Sequence, residues 1–144
     1  MTVDGAVKCW GTNGSGQLGN GSKADALQAV QVLGLESGAT AVTAGRDHAC
    51  AIVAGSDGLA AMCWGRNDGG QLGNGTTESS SKPVEVDLPG EPIGLAAGER
   101  HTCALVAAGT GQHVYCWGSD LDGRVGSGRV LYHPTAIGPI TVCP

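Results

Sequence analysis

Apolar residues in this chain gather in short runs broken by glycine, with no stripe recurring at helical spacing. TAVTAG (40–45), HACAIVA (48–54) and LAAMCWG (59–65) follow one another, each of strand length and bounded by turn-forming residues. KPVEVDL (82–88) alternates, with Val84, Val86 and Leu88 on one face and Glu85 and Asp87 on the other, as a half-exposed outer strand does. Gly55-Ser56-Asp57-Gly58 and Ala108-Gly109-Thr110-Gly111 supply hairpin turns between the second and third runs of their units. The pattern predicts an all-β chain with four antiparallel strands per unit, a small-residue strand innermost and the alternating strand outermost.

The pattern also repeats. Cys-Trp-Gly begins at 9, 63 and 116, offsets of 54 and 53. AGRDHACAI from Ala44 returns as AGERHTCAL from Ala97, again 53 later. Each Cys-Trp-Gly opens a glycine-rich segment: CWGTNGSGQLGNG (9–21), CWGRNDGGQLGNG (63–75) and CWGSDLDGRVGSG (116–128). A unit of this length is too long for the common helical repeats and close to a propeller blade.

At this point the residues carry a family resemblance. The order AGxxHxCAL, turn, YCWG, GQLGNG, then a Pro-Val strand resembles the repeat of the regulator of chromosome condensation family of β-propellers, and it covers nearly the whole chain. The third copy departs from the pattern, with Leu121 and Asp122 at the positions of Asp68 and Gly69, and Arg124 at that of Gln71. The expected fold is therefore a set of propeller blades, about 2.7 repeats at this unit length, in an incomplete ring. The boundaries read as the C-terminal part of one blade at 1–38, complete blades at 39–91 and 92–138, and the start of a further blade at 139–144.

Composition sharpens this picture in two ways. With 26 glycines, no Phe and 3 Trp among 144 residues, core bulk must come from aliphatic side chains and the tryptophans, packed by close backbone approach. With a net charge of -5 and only 8 Lys and Arg, scattered along the chain, a nucleic-acid partner is excluded, because phosphate neutralisation needs clustered cations. No apolar run is long enough for membrane insertion by a helix, and the first residues do not read as a signal peptide.

The six cysteines carry the sharpest chemical signal. Cys50 and Cys63 are 13 apart, as are Cys103 and Cys116. Antiparallel pairing about a turn centred between Ser56 and Asp57 sets Cys50 opposite Cys63, and a centre between Gly109 and Thr110 sets Cys103 opposite Cys116. Opposed strand residues lie within disulfide reach, so two disulfides are expected. Reduced buried thiols compete with this reading, and so does zinc, because His48 and His101 sit two residues before Cys50 and Cys103. The disulfide reading places the parent protein in an oxidising compartment, namely extracellular, periplasmic or cell-surface. Cys9 and Cys143 are left unpaired or available between chains. The partner position of Cys9 about a turn at Asp4-Gly5 falls just before Met1, and PITVCP at the other end resembles the start of an innermost strand, so both ends are expected to cut through blades. A part of a larger propeller, or a protomer that self-associates through exposed blade edges, would fit.

The glycine-rich segment raises the question of a phosphate cradle, but neither a Lys-Ser/Thr pair nor a helix start follows it. Its glycines read instead as sites of positive φ and close passage between blades. DLDG from Asp120 lacks the closing acidic residue of a calcium loop. Asn13, Asn20 and Asn74 match the glycosylation pattern. His48 and His101 are the acid-base candidates, yet a histidine repeated at one structural position reads as a hydrogen-bonded structural group near the channel. No catalytic constellation and no cofactor or metal site is expected. Arg46-Asp47 becomes Glu99-Arg100 in the next unit, so the turn between first and second strands exchanges charge order and is the candidate partner-binding rim. The resemblance implies binding of a protein partner through such rim loops. Nucleotide exchange on the small GTPase Ran is the family's best-known activity, and similar secreted members include β-lactamase inhibitors. The expected function is a non-catalytic protein-interaction scaffold, with guanine-nucleotide exchange and self-assembly into a ring or filament as the alternatives.

Overall fold

A computed structural model of the chain describes residues 1–127 and 132–139. Cys143, and the expected start of a further blade beyond Pro139, lie outside the described residues. The described residues hold ten strands: β1 (Lys8–Gly11), β2 (Ala26–Gln31), β3 (Ala39–Ala44), β4 (His48–Gly55), β5 (Gly58–Gly65), β6 (Ser80–Glu85), β7 (Glu91–Ala97), β8 (His101–Ala108), β9 (Gly111–Ser119) and β10 (Tyr132–Ile137). They form one antiparallel ribbon, β1-β2, and two four-stranded antiparallel meanders, β3-β4-β5-β6 and β7-β8-β9-β10. The described residues are all-β.

Register follows from the turns. Gly55 faces Gly58 and Ala108 faces Gly111, so two-residue turns close both inner hairpins and bring Cys50 opposite Cys63 and Cys103 opposite Cys116. Disulfides join both pairs, with Cα atoms 4.1 Å apart. Crosslinks spanning 13 residues stabilise by roughly 3 kcal/mol each through the entropy removed from the unfolded chain. Cys9 is a free thiol, and partial burial raises its pKa above the usual range.

The outer strand departs from its expected bounds. β6 starts at Ser80 and its ladder with β5 ends at Glu85, because the pairing shifts between Cys63, opposite Val84, and Gly65, opposite Ser80. Gly65 has φ +103°, a conformation open to glycine. It bends β5 so that four residues of β6 span two of β5. The same shift recurs where Cys9 faces Val30 and Gly11 faces Ala26, and where Cys116 faces Ile137 and Gly118 faces His133. The expected alternation survives the shift, with Val86 buried, Val84 and Leu88 half-buried, and Glu85 and Asp87 exposed.

Adjacent sheets are joined by a tryptophan seated in a glycine loop. Trp64 and Trp117, on the third strands of their sheets, are fully buried. The Trp64 indole N–H donates to Gln17 O, and that of Trp117 to Gln71 O, both at 2.9 Å. Gly19 and Gly73, at φ +67° and +68°, lie flat against these rings, and a Cβ on Gly73 would stand 2.7 Å from Trp117 Nε1. A buried amide holds each loop in shape. Asn67 accepts from Leu72 N–H at 2.8 Å and donates to Thr76 O and Glu78 O, and Asn13 does the same with Leu18, Ser22 and Ala24. This occupies the Asn13 amide that matched a glycosylation site. In the divergent third loop Asp120 accepts from Val125 N–H at 2.9 Å and is hydrogen-bonded to the Ser127 hydroxyl. Gly123 and Gly126 keep φ +71° and +70°, so the loop retains its form despite its sequence.

A second polar contact closes the junction between the two meanders. Gln71 O can only accept, so the Thr102 hydroxyl donates to it at 3.2 Å and accepts from His48 Nε2–H at 2.9 Å. The position of Thr102 is Ala49 one unit earlier, so the Trp64 junction lacks this bridge. Burial, with the nearby His101 adding to it and Asp47 opposing, lowers the His48 pKa from 6.5 to about 4. The apolar core divides accordingly. Cys50, Cys63, Leu72, Val86, Val106 and Trp117 cluster between the meanders, and Val7, Val32, Leu35, Ala51 and Trp64 between ribbon and first meander.

Two outcomes follow from these junctions. Gly73→Val adds a branched side chain against Trp117 in a backbone region closed to it, and is expected to cost about 2–4 kcal/mol in chemical denaturation; wild-type stability would refute the seat. A folded-state pKa below the unfolded value means that stability is complete above the unfolded pKa and is lost as pH falls toward the folded one. His48 is therefore expected to account for a loss of roughly 2 kcal/mol between about pH 7 and pH 5. His101, whose pKa burial also lowers, acts in the same direction. His48→Gln should flatten the urea-unfolding profile across that window, and an unchanged slope would rule out His48 as its source.

Candidate interaction surface

The turns between first and second strands project from one edge of the two meanders. Each is closed by its own backbone: Gly45 N–H donates to His48 O and Gly98 N–H to His101 O, both at 2.9 Å. The strand carrying Cys-Trp-Gly ends beneath each turn and braces it, through Arg66 N–H to Asp47 O at 2.8 Å and Ser119 N–H to Arg100 O at 2.9 Å. The two turns also touch, since Arg46 N–H donates to Glu99 O at 3.3 Å. The rim is thus exposed side chains on a fixed main chain.

Arg46, Asp47, Glu99 and Arg100 stand on these two turns, and their charges are paired across them. Arg46 Nη1 lies 2.8 Å from Glu99 Oε1, and its Nε 3.9 Å from Asp47 Oδ2. Arg66 bridges Asp47 at 3.4 Å and Asp68 at 2.6 Å, and Arg100 reaches Asp68 at 3.2 Å. One line of ion pairs, Glu99–Arg46–Asp47–Arg66–Asp68–Arg100, therefore leaves the Glu99-Arg100 turn of the second meander, runs through the first and returns to the same turn. The exchanged charge order has a direct cause here. Arg46 and Glu99 hold the same place in successive units, and equivalent places on neighbouring sheets face each other, so like residues would repel. A hydrogen bond from Arg66 lowers the Asp68 pKa, and one from Arg46 lowers that of Glu99. Exposed pairs of this kind stabilise by only about 0.2–1 kcal/mol each. Their effect is to fix the rotamers of long side chains in a set pattern.

Sequence reasoning missed Arg66 and Asp68. They flank Asn67, the buried amide that shapes the loop, and project to the rim because that amide turns inward. The signal was available, because only the middle copy carries charges on both sides of its loop amide. His48 and His101 lie behind the rim. His48 is buried against Thr102 with its Nδ1 also enclosed, an arrangement for holding two sheets together. Among the described residues no His, Cys, Asp and Glu cluster could hold a metal ion, and the thiols of the zinc reading are oxidised in pairs.

The Regulator of chromosome condensation (RCC1) repeat profile matches residues 4–52 and 63–105, and a second profile of the same repeat matches residues 93–124. The "Regulator of chromosome condensation" of Drosophila melanogaster is 34% identical across 90% of this chain, which spans 23% of that relative. Human WBSCR16 superposes with a TM-score of 0.76 at 20% identity, over 94% of this chain and 33% of that one. Yeast RCC1 (Prp20), solved bound to Kap60, gives 0.70 at 24%, over 92% and 33%. These solved structures establish likeness of fold. Profiles spanning most of the chain, at the very period that places Trp64 and Trp117 in their glycine loops, show that the chain belongs to the regulator of chromosome condensation (RCC1) repeat family.

Proposed function

We propose that this chain is a non-catalytic protein-interaction scaffold, forming part of a secreted or cell-surface propeller, and that the paired-charge rim is its binding face. The observation that carries this reading is the line of ion pairs from Glu99 to Arg100. It offers alternating fixed charges, with Arg46 and Glu99 largely exposed, on turns braced by backbone hydrogen bonds. Loop side chains on a rigid scaffold recognise a partner at low ordering cost. The internal balance of the six charges favours a partner surface of equally mixed charge and disfavours a polyanion. The two disulfides support an oxidising compartment. The blade boundaries 39–91 and 92–138 belong to the same proposal, supported by the first meander lying within 39–91 and the second within 92–138 apart from Glu91, where β7 begins.

The test separates recognition from folding. In the double variant Arg46→Glu/Glu99→Arg the intramolecular pair is kept but its direction along the rim is inverted. A photo-crosslinker beside position 46 would capture the partner in the native setting, and purified partner would then be titrated. The swap is expected to leave the thermal midpoint unchanged and to weaken binding at least about tenfold, or 1.4 kcal/mol. Equal binding by the swapped protein would remove the rim from the interface. Accelerated nucleotide release from a small GTPase would instead favour the exchange-factor alternative.

A further inference from the structure

Among the described residues, the connection from the outer strand of one sheet to the first strand of the next occurs twice, and the two copies are closed differently. Lys8 faces Gln31 and Met62 faces Glu85, so Gln31 and Glu85 are equivalent. Val32 N–H donates to Val7 O at 3.0 Å and Val86 N–H to Ala61 O at 2.9 Å, which aligns the residues that follow. In the first copy the Gln31 amide acts as a plug. Its Nε2 donates to Val7 O at 3.0 Å, Val32 O at 3.1 Å and Leu35 O at 2.7 Å, and Val7 N–H reaches Leu35 O at 2.9 Å. Val7, Val32 and Leu35 are buried around it.

The second copy has Glu85 in that place, and a carboxylate has no N–H to give. Ala61 stands where the first copy has the larger Val7. The connection also has no counterpart of Gly34, which at φ +73° turns Leu35 back onto Val32. Leu88, the counterpart of Leu35, is accordingly half-buried. These differences leave a cleft of about 380 Å³ lined by Ala61, Val86 and Leu88, with Leu59 and Pro89 as further apolar wall. Asp57, Glu85 and Glu91 bring three carboxylates to it, and no Lys, Arg or His is among its lining residues. The first meander, which carries the cleft, is covered by the ribbon on one side and by the second meander on the other. The cleft lies at the β4-β5 turn, the end of the strands opposite the charged rim.

We propose that this cleft receives an arginine side chain of a protein partner, with the guanidinium taking the part that the Gln31 amide plays one unit earlier. The carbonyls tied together by Gln31 have their counterparts in Ala61 O, Val86 O and Leu88 O, and Glu85 adds a carboxylate. All of these are acceptors, so the occupant must offer several N–H groups and a positive charge. A guanidinium carries five N–H groups in one plane with a permanent charge, and pairs with a carboxylate through two of them. Its methylene stem suits the wall of Leu59, Leu88 and Pro89, since long cationic side chains cover apolar surface with the charge kept at a polar group. Asp57 and Glu91, both exposed, favour a basic segment over an acidic one. The site is separate from the rim and does not depend on it.

Acetyl-arginine amide is the probe, titrated into isotope-labelled protein and followed by nuclear magnetic resonance. The backbone amide signals of Ala61, Val86 and Leu88 should move along one saturable curve, at the weak affinity of so small a ligand, while those of Val7, Val32 and Leu35 stay fixed. Acetyl-citrulline amide has the same shape without the charge and should bind at least about tenfold more weakly. Glu85→Gln returns to the second site the amide that closes the first. It changes one exposed side chain, should keep the wild-type melting temperature, and should weaken the probe at least about tenfold. Glu78→Gln, on the glycine loop at the other end of the strands, should leave binding unchanged. Signals unmoved by the arginine probe would overturn the proposal, as would citrulline binding equally well or full affinity in Glu85→Gln. Acetyl-lysine amide binding as tightly, or calcium chloride alone moving the same signals, would assign the cleft to a simple cation and overturn the arginine reading.

Discussion

Each of the two junctions between the described sheets is centred on an indole N–H that finds a backbone carbonyl at the bottom of a glycine loop. The requirement is strict in both directions. A buried tryptophan must pair its N–H, and the loop must bring a bare main chain to within contact of the ring, which only glycine at positive φ permits. The loop is therefore rich in glycine for steric reasons, and its shape is held from inside by Asn13, Asn67 or Asp120. A segment that looks like a ligand cradle serves as a socket for the protein's own next repeat.

This arrangement compensates for a core without phenylalanine. Two tryptophans supply the bulk that aliphatic residues and alanine cannot, and each fills the space between two sheets. The Cys50–Cys63 disulfide lies in the apolar cluster between the meanders, so the first meander is stapled where its neighbour presses on it. The junction between the two meanders has an additional polar bridge through Thr102 and His48. Its dependence on a neutral imidazole ties the most elaborate contact of the fold to pH.

The rim follows from the same stacking. Sheets related by a constant repeat bring equivalent turns side by side, and a charged turn must then differ from its neighbour. Arg46 against Glu99 meets that demand directly, and Arg66 with Asp68 extends the pairing to Asp47 and Arg100. A line of fixed, mutually satisfied charges is a defined pattern of balanced sign.

Much of this was legible in the residues alone, and the reason is locality. The repeat period, the strands, the two-residue turns and the facing of Cys50 with Cys63 and Cys103 with Cys116 all follow from counting along an antiparallel hairpin, where each pairing is set by the turn between its members. The outer strand was placed two residues late because the Gly65 bend changes the count, and a bend depends on φ rather than on residue type. What only the tertiary structure decided lies between sheets: Trp117 with Gln71, His48 with Thr102, Arg46 with Glu99. These partners are about one repeat apart in sequence, and no local rule brings them together. They meet because one sheet stacks on the next at a particular angle and spacing, and that geometry is produced by the packing of all the side chains at the junction at once.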